Sequence, residues 1–279
     1  MNAGNQLSFD ESCAPRVRDY LTTFRQALAH LRSMCSGLDM RWDPDCADPR
    51  TLHNMYARSL VSCYVSKVAD LSESILNALE RLDFLTYAPC GRALIEIVAI
   101  LRYYIEAHYK PLLDKKSLSP DDIRTLIDID DRHLRGSRFD WESFLFSNYS
   151  KLRNDAVQQL SEKRQARFRR NSEELVKQQV NIKTCIEKWA SDTPEVLIAY
   201  DLFCDLVHPN IGSNFLIASA GAEGLRFVKH RGEMVGHRIF EQSFPILLSV
   251  THRPLGDYLT LLTATCWHDD ELGECNATQ

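Results

Sequence analysis

The sequence predicts a mainly α fold: a helical bundle with a small β-hairpin insertion near residues 214–240. Apolar residues recur at steps of three and four over most of the chain, the spacing of one helical face. Glycine (11) and proline (10) are sparse among 279 residues, which argues against a turn-rich all-β protein. Where Ser or Thr, Pro and acids follow one another, they stand between periodic runs, as helix starts do.

The elements follow in order. Residues 1–15 read as a polar, disordered tail without the apolar core of a signal peptide. Val17, Tyr20, Leu21, Phe24, Leu28 and Leu31 then set an amphipathic helix over 16–36. RWDPDCADPR, with two prolines in a polar setting, breaks it. From Thr51 to Phe84 the period resumes, and Pro89 and Gly91 are expected to open a third, almost wholly apolar helix for the middle of the bundle. Ser119-Pro120-Asp121-Asp122 starts a helix that runs to about Leu134. GSRFDWESFLF reads as a short helix or packed loop. Residues 151–190 read as one or two helices, with a cap near Asn171-Ser172 and an end near Trp189.

Thr193-Pro194-Glu195 opens a helix that ends at His208. Beyond Pro209, NFLIAS, GLRFVKH and MVGHRIF are short, β-rich and divided by glycine, which predicts the hairpin. Helix returns over 245–266 with an interruption at Pro254, and 268–279 reads as a disordered tail. The connections are short, so one helical domain over 1–279 is expected.

Composition bounds the function. A net charge of −5 leaves no global basic field for nucleic acid. Nine cysteines at irregular spacing, with no C-x-x-C, predict reduced thiols and a cytosolic protein. No stretch approaches about 18 uninterrupted apolar residues, so no membrane span is expected. The chain has no P-loop, G-x-G-x-x-G, G-x-S-x-G or H-E-x-x-H. Cys266-x-His268-Asp269-Asp270 lies in a polar tail and lacks partners, so no metal and no cofactor are expected. The basic run Lys163, Arg164, Arg167, Arg169 and Arg170 reads as a solvated turn.

A few polar residues stand out of place. Arg92 and Glu96 are one turn apart on the most apolar helix, where charges need partners. They read either as a structural ion pair or as a pair facing a cleft. Tyr200, Cys204 and His208 share one helical face. Pro209 disfavours helical geometry at His208, so its imidazole sits at a helix carboxyl end, where the dipole favours the charged form. It reads either as a cap or as an acid or base at a pocket rim. Asn210 suits the turn that follows. Arg138, flanked by Phe139 and Trp141, is a further candidate contact.

Arg92-x-x-x-Glu96, GSRFDW at 136–141 and Tyr200-x-x-x-Cys204-x-x-x-His208-Pro209-Asn210-x-Gly212 together resemble an uncharacterised family of bacterial helical proteins. The resemblance covers roughly residues 85–215 and implies no activity. More distantly, the chain is similar to the HEPN superfamily of helical RNases and nucleotide-handling proteins, many of them toxins or phage-defence effectors. Their signature, Arg, four to six residues, then His, occurs as Arg102-YYIEA-His108 and Arg231-GEMVG-His237. On an unbroken helix six positions turn by roughly 240°, so Arg102 and His108 would diverge unless the helix bends or a homodimer brings them together.

The expectation is therefore a binding or interaction module. Arg92, Glu96, Tyr200, His208 and Asn210 would converge on one polar pocket for a phosphate-bearing ligand, a nucleotide or RNA. The alternative is a metal-independent, HEPN-type endoribonuclease, with His208 or His108 as acid or base and Arg92 or Arg102 stabilising the phosphorane.

Overall fold

The structure, a computed structural model, describes residues 9–36, 46–113, 115, 118–135, 181–221, 224–227 and 235–264. A helical turn, α1 (Phe9–Ser12), leads into α2 (Pro15–Ser36), so the polar tail expected over 1–15 takes up structure from Phe9 onward. Val17, Leu21, Phe24 and Leu31 of α2 are buried, as their spacing requires. Helix α3 (Pro49–Glu80) begins where Asp48 accepts from the Thr51 N–H at 2.9 Å, with Pro49 at the first helical position.

Leu82 then takes a positive φ of 53°, which ends α3 and reverses the chain. Helix α4 (Phe84–Tyr104) starts here and not at Pro89–Gly91 as the sequence suggested. Asp83 caps it, accepting from the Thr86 N–H and hydroxyl, and Pro89 is carried inside the helix. A π-helical turn, Ile105–Tyr109, continues α4 into the short α5 (Lys110–Leu113). Helix α6 (Pro120–Arg135) opens on a reciprocal capping box. The Asp122 carboxylate accepts from the Ser119 N–H (2.9 Å), and the Ser119 hydroxyl accepts from the Asp122 N–H (3.2 Å).

Asn181 caps α7 (Ile182–Ala190), and α8 (Glu195–Val207) ends at His208, whose ψ of 148° is the extended geometry a following proline imposes. A short helix, α9 (Ile211–Phe215), follows, and the chain closes with α10 (Val235–Val250) and α11 (His252–Thr263).

The expected hairpin insertion across 214–240 is not what forms. Of its three strand segments, NFLIAS begins inside α9, and MVGHRIF from Val235 onward forms the first turns of α10. Asn210 caps α9, and Phe240 faces the core at helical spacing with Gly236, Phe244 and Leu247. Among the described residues between them lie two four-residue backbone segments, β1 (Ala218–Gly221) and β2 (Gly224–Phe227), in antiparallel register with Ser219 opposite Arg226. The protein is a helix bundle.

Helix α4 lies at its centre, packed by α3, α7, α8, α10 and α11. A chain of rings crosses the bundle from α2 to α8. Phe24 meets Phe244 (5.2 Å between centroids), Phe244 meets Phe240 (4.8 Å), Phe240 meets Tyr87 (5.4 Å), and Tyr87 meets Phe203 (5.5 Å). Such pairs add about 0.5–1.5 kcal/mol each beyond their buried area. Phe84–Leu113 is long and apolar enough to cross a bilayer by length and composition (mean hydropathy 1.5), but half of that window is buried against the other helices.

Candidate functional site

Glycine sets the distance between α4 and α8. A methyl group at position 91 would stand 2.2 Å from Phe203 Cε1, so only glycine lets the Phe203 ring lie on the α4 backbone. With Phe203 at that level, Tyr200 comes down one turn further along α4, at Arg92 and Glu96. Arg92 Nε donates to Glu96 Oε1 at 2.8 Å. The Tyr200 hydroxyl donates to the same oxygen at 3.4 Å, and the Arg92 guanidinium stands 5.8 Å from the centre of the Tyr200 ring. Cys204, next on that face of α8, adds its thiol to the group.

The ion pair is half-buried, with side chains 27% and 30% exposed. Burial works against the Arg92 charge, but the hydrogen bond to Glu96 and the nearby Cys204, Glu96 and Tyr200 outweigh it and raise its pKa. Burial, then Cys204 and Glu96, push the Tyr200 phenol up to about 12. The phenol therefore stays a neutral donor at neutral pH. Of the five residues expected to converge, Arg92, Glu96 and Tyr200 are in contact here.

Among the described residues, no hydrogen bond, ion pair or ring contact joins His208 or Asn210 to this group. Helices α4 and α8 run antiparallel: Glu96 faces Tyr200, whereas Gly91 and Tyr87 face Phe203. Moving on from Tyr200 to His208 leads toward the amino end of α4, roughly 12 Å along the axis. His208 is exposed there, with its backbone closing α8. Asn210 is held by structure: its side chain accepts from the Ser213 N–H (3.2 Å) and donates to Asp205. Arg138, the basic run at 163–170 and the Cys266–Asp270 cluster fall outside the described residues.

The Arg102–His108 segment contains a departure from regular α-helix, the π turn at Ile105–Tyr109. The two side chains nevertheless turn to different neighbours. Arg102 donates to Asp192 Oδ2 at 2.6 Å and lies 5.9 Å from the Trp189 ring. The His108 ring packs with Tyr103 and Tyr104, at 6.0 and 5.6 Å. His237, of the second signature match, sits beside Cys13, and Arg231 lies outside the described residues.

Sequence reasoning missed a polar network around the π turn. His53 Nδ1 and Asp130 Oδ2 are 3.0 Å apart, and both side chains are wholly buried. The Tyr109 hydroxyl donates to the other Asp130 oxygen, and Tyr56 donates to Asp131 at 2.9 Å. Tyr64 bonds His133 Nε2, and the Tyr104 ring lies 3.7 Å from the His133 ring. Burial pushes Asp130 up to about 6, against the pull of His53. Burial, helped by the Lys67 and His108 charges, pushes His133 down to about 3, so its ring is neutral. The only sequence signal was Asp130 and His133 at a helical i,i+3 spacing inside a polar run. Its centre, His53, Asp130 and Tyr109, is wholly buried, and the network ties α3, the π turn and α6 together.

Compared with protein-family models, curated proteins and solved structures, the chain finds no match.

Proposed function

We propose that the protein is a helical binding module in which Arg92 receives a phosphate-bearing ligand, a nucleotide or a segment of RNA. One observation carries this reading. Among the described residues Arg92 spends only Nε on Glu96, so its two terminal nitrogens remain as a planar fork on a side chain 27% exposed. A guanidinium fork of this kind matches two phosphate oxygens. Glu96 fixes its plane from one side and Tyr200 lies against its face. The phenol, protonated at neutral pH, does not repel an anion.

The endoribonuclease alternative has no comparable observation behind it, since Arg102 is held by Asp192 and, among the described residues, no hydrogen bond, ion pair or ring contact joins His208 to Arg92. The test is a titration of the purified chain with a nucleoside triphosphate and with a short single-stranded RNA, for wild type and Arg92→Met. A charge-assisted hydrogen bond is worth about 1.5–3 kcal/mol, so the variant should bind at least about tenfold more weakly. Equal binding by both proteins would refute the reading.

A further inference from the structure

Three side chains from opposite ends of the chain meet at the amino end of the bundle. Cys13, buried in the junction between α1 and α2, places Sγ 3.6 Å from His237 Nε2. His237 and Glu241 are one turn apart on α10, with Nδ1 and Oε1 3.8 Å apart. One ligand atom from each of the three lies within 4.8 Å of the others. The Ser12 hydroxyl is 3.2 Å from the same His237 Nε2.

We propose that Cys13, His237 and Glu241 form a divalent-metal site of zinc type, with Ser12 or a water in the fourth position. Zinc takes thiolate, imidazole and carboxylate ligands in a tetrahedron. With Zn–S of about 2.3 Å and Zn–N of about 2.0 Å, sulfur and nitrogen stand about 3.5 Å apart, the separation found here between Cys13 and His237. The 3.8 Å contact of Glu241 is to Nδ1, so for an ion on Nε2 its carboxylate, within 4.8 Å of the other two ligand atoms, has to close by up to about 1.4 Å, a side-chain adjustment. His and Glu at i,i+4 share one helical face, which presents both to one ion.

The surroundings suit the ion. The Ala14 N–H donates to Glu241 Oε1 at 2.8 Å and orients the carboxylate. Phe9 and Phe84 pack their rings on His237, at 5.5 and 6.3 Å, and wall one side of the site. A thiolate and a carboxylate together balance a divalent charge. Burial, then Glu241 and Asp10, push the Cys13 thiol up to about 11, so without a cation the sulfur keeps its proton. A protonated, buried thiol is no nucleophile, so the Cys–His–Glu order does not describe a catalytic triad here. On binding, Cys13 releases its proton to solvent and the Sγ–metal bond forms, with one proton lost per ion. An ion here ties the α1–α2 junction to α10, joining positions 224 residues apart.

The test uses the full chain, stripped with chelator and titrated with Zn2+, and with Co2+ as a spectroscopic probe. One equivalent should raise the melting temperature, and Co2+ should give a thiolate charge-transfer absorption. Affinity should rise about tenfold per pH unit near neutrality as the thiol proton is displaced. Cys13→Ser should abolish the absorption, and His237→Gln and Glu241→Gln should weaken binding at least about tenfold. Glu241→Gln retains an acceptor for the Ala14 N–H and should fold as wild type does by circular dichroism. If Cys13→Ser does not fold, the wild-type spectrum and Glu241→Gln decide. An absorption that survives Cys13→Ser, unchanged affinity in Glu241→Gln, or wild type without the absorption would overturn the proposal.

Discussion

Phe203 lies against Gly91 so closely that a methyl group there would come within 2.2 Å of its ring. This contact sets the spacing of α4 and α8 and, one turn on, brings Tyr200 to Arg92. Gly91→Ala should therefore destabilise the protein although alanine is the better helix former. Overpacking of this kind costs about 1–3 kcal/mol against a propensity gain of about 1. Chemical denaturation of the variant checks the sign, and a midpoint at or above that of wild type would contradict the packing.

Arg92 and Glu96 should matter little for stability. Pairs this exposed contribute about 0–1 kcal/mol. Arg92→Met should leave the melting temperature within a few degrees of wild type while it removes the fork. A loss of several degrees would mark the pair as structural instead.

Asp130 is the opposite case. It is wholly buried and accepts from Tyr109 and His53. Asp130→Ala strands both partners, and breaking a buried pair of this kind costs about 3–5 kcal/mol. Urea unfolding should show that loss, and Asp130→Asn, which keeps an acceptor, should show less of it.

Acid should weaken the fold through its buried histidines. Burial pushes His252 down to about 4 and His133 down to about 3, so both stay neutral in the native state. The unfolded chain protonates them as pH falls through about 6.5, so this stability is present above that pH and is lost on acidification. Asp130, up at about 6, acts oppositely, because the native state takes its proton first. Two protons gained by the unfolded chain against one by the native chain leave a net loss of about 1.4 kcal/mol per pH unit between pH 6 and 4. Melts at pH 7, 6 and 5 should show falling temperatures, and His252→Gln should flatten the trend. A melting temperature that is level or rising toward pH 5 would contradict this.

The sequence showed the helices through their period, and Asp83 shows why α4 still started in the wrong place. Proline is read as a first-turn residue, but an Asp cap bonded to Thr86 fixes the start at Phe84, five residues before Pro89. The β-rich run MVGHRIF misled because one turn of an amphipathic helix and one short strand look alike when β-branched residues and glycine are mixed. Arg92, Glu96 and Tyr200 were legible because a charge on an apolar helix must find a partner. His208 shares their face by spacing, but α8 carries it away along its axis. The His53–Asp130–Tyr109 and Cys13–His237–Glu241 groups were not legible, because each joins segments distant in the sequence that only the packing brings together.

The central claim is that the Arg92 fork receives phosphate. The most direct measurement is equilibrium binding of a labelled single-stranded RNA and a labelled nucleotide, in EDTA, to wild type, Arg92→Met and Lys110→Met. Lys110 is an exposed cation paired with Glu106 and serves as the control. The account predicts saturable binding by wild type and Lys110→Met and a loss of at least about tenfold in Arg92→Met alone. Binding that all three proteins share equally, or that none shows, would contradict it.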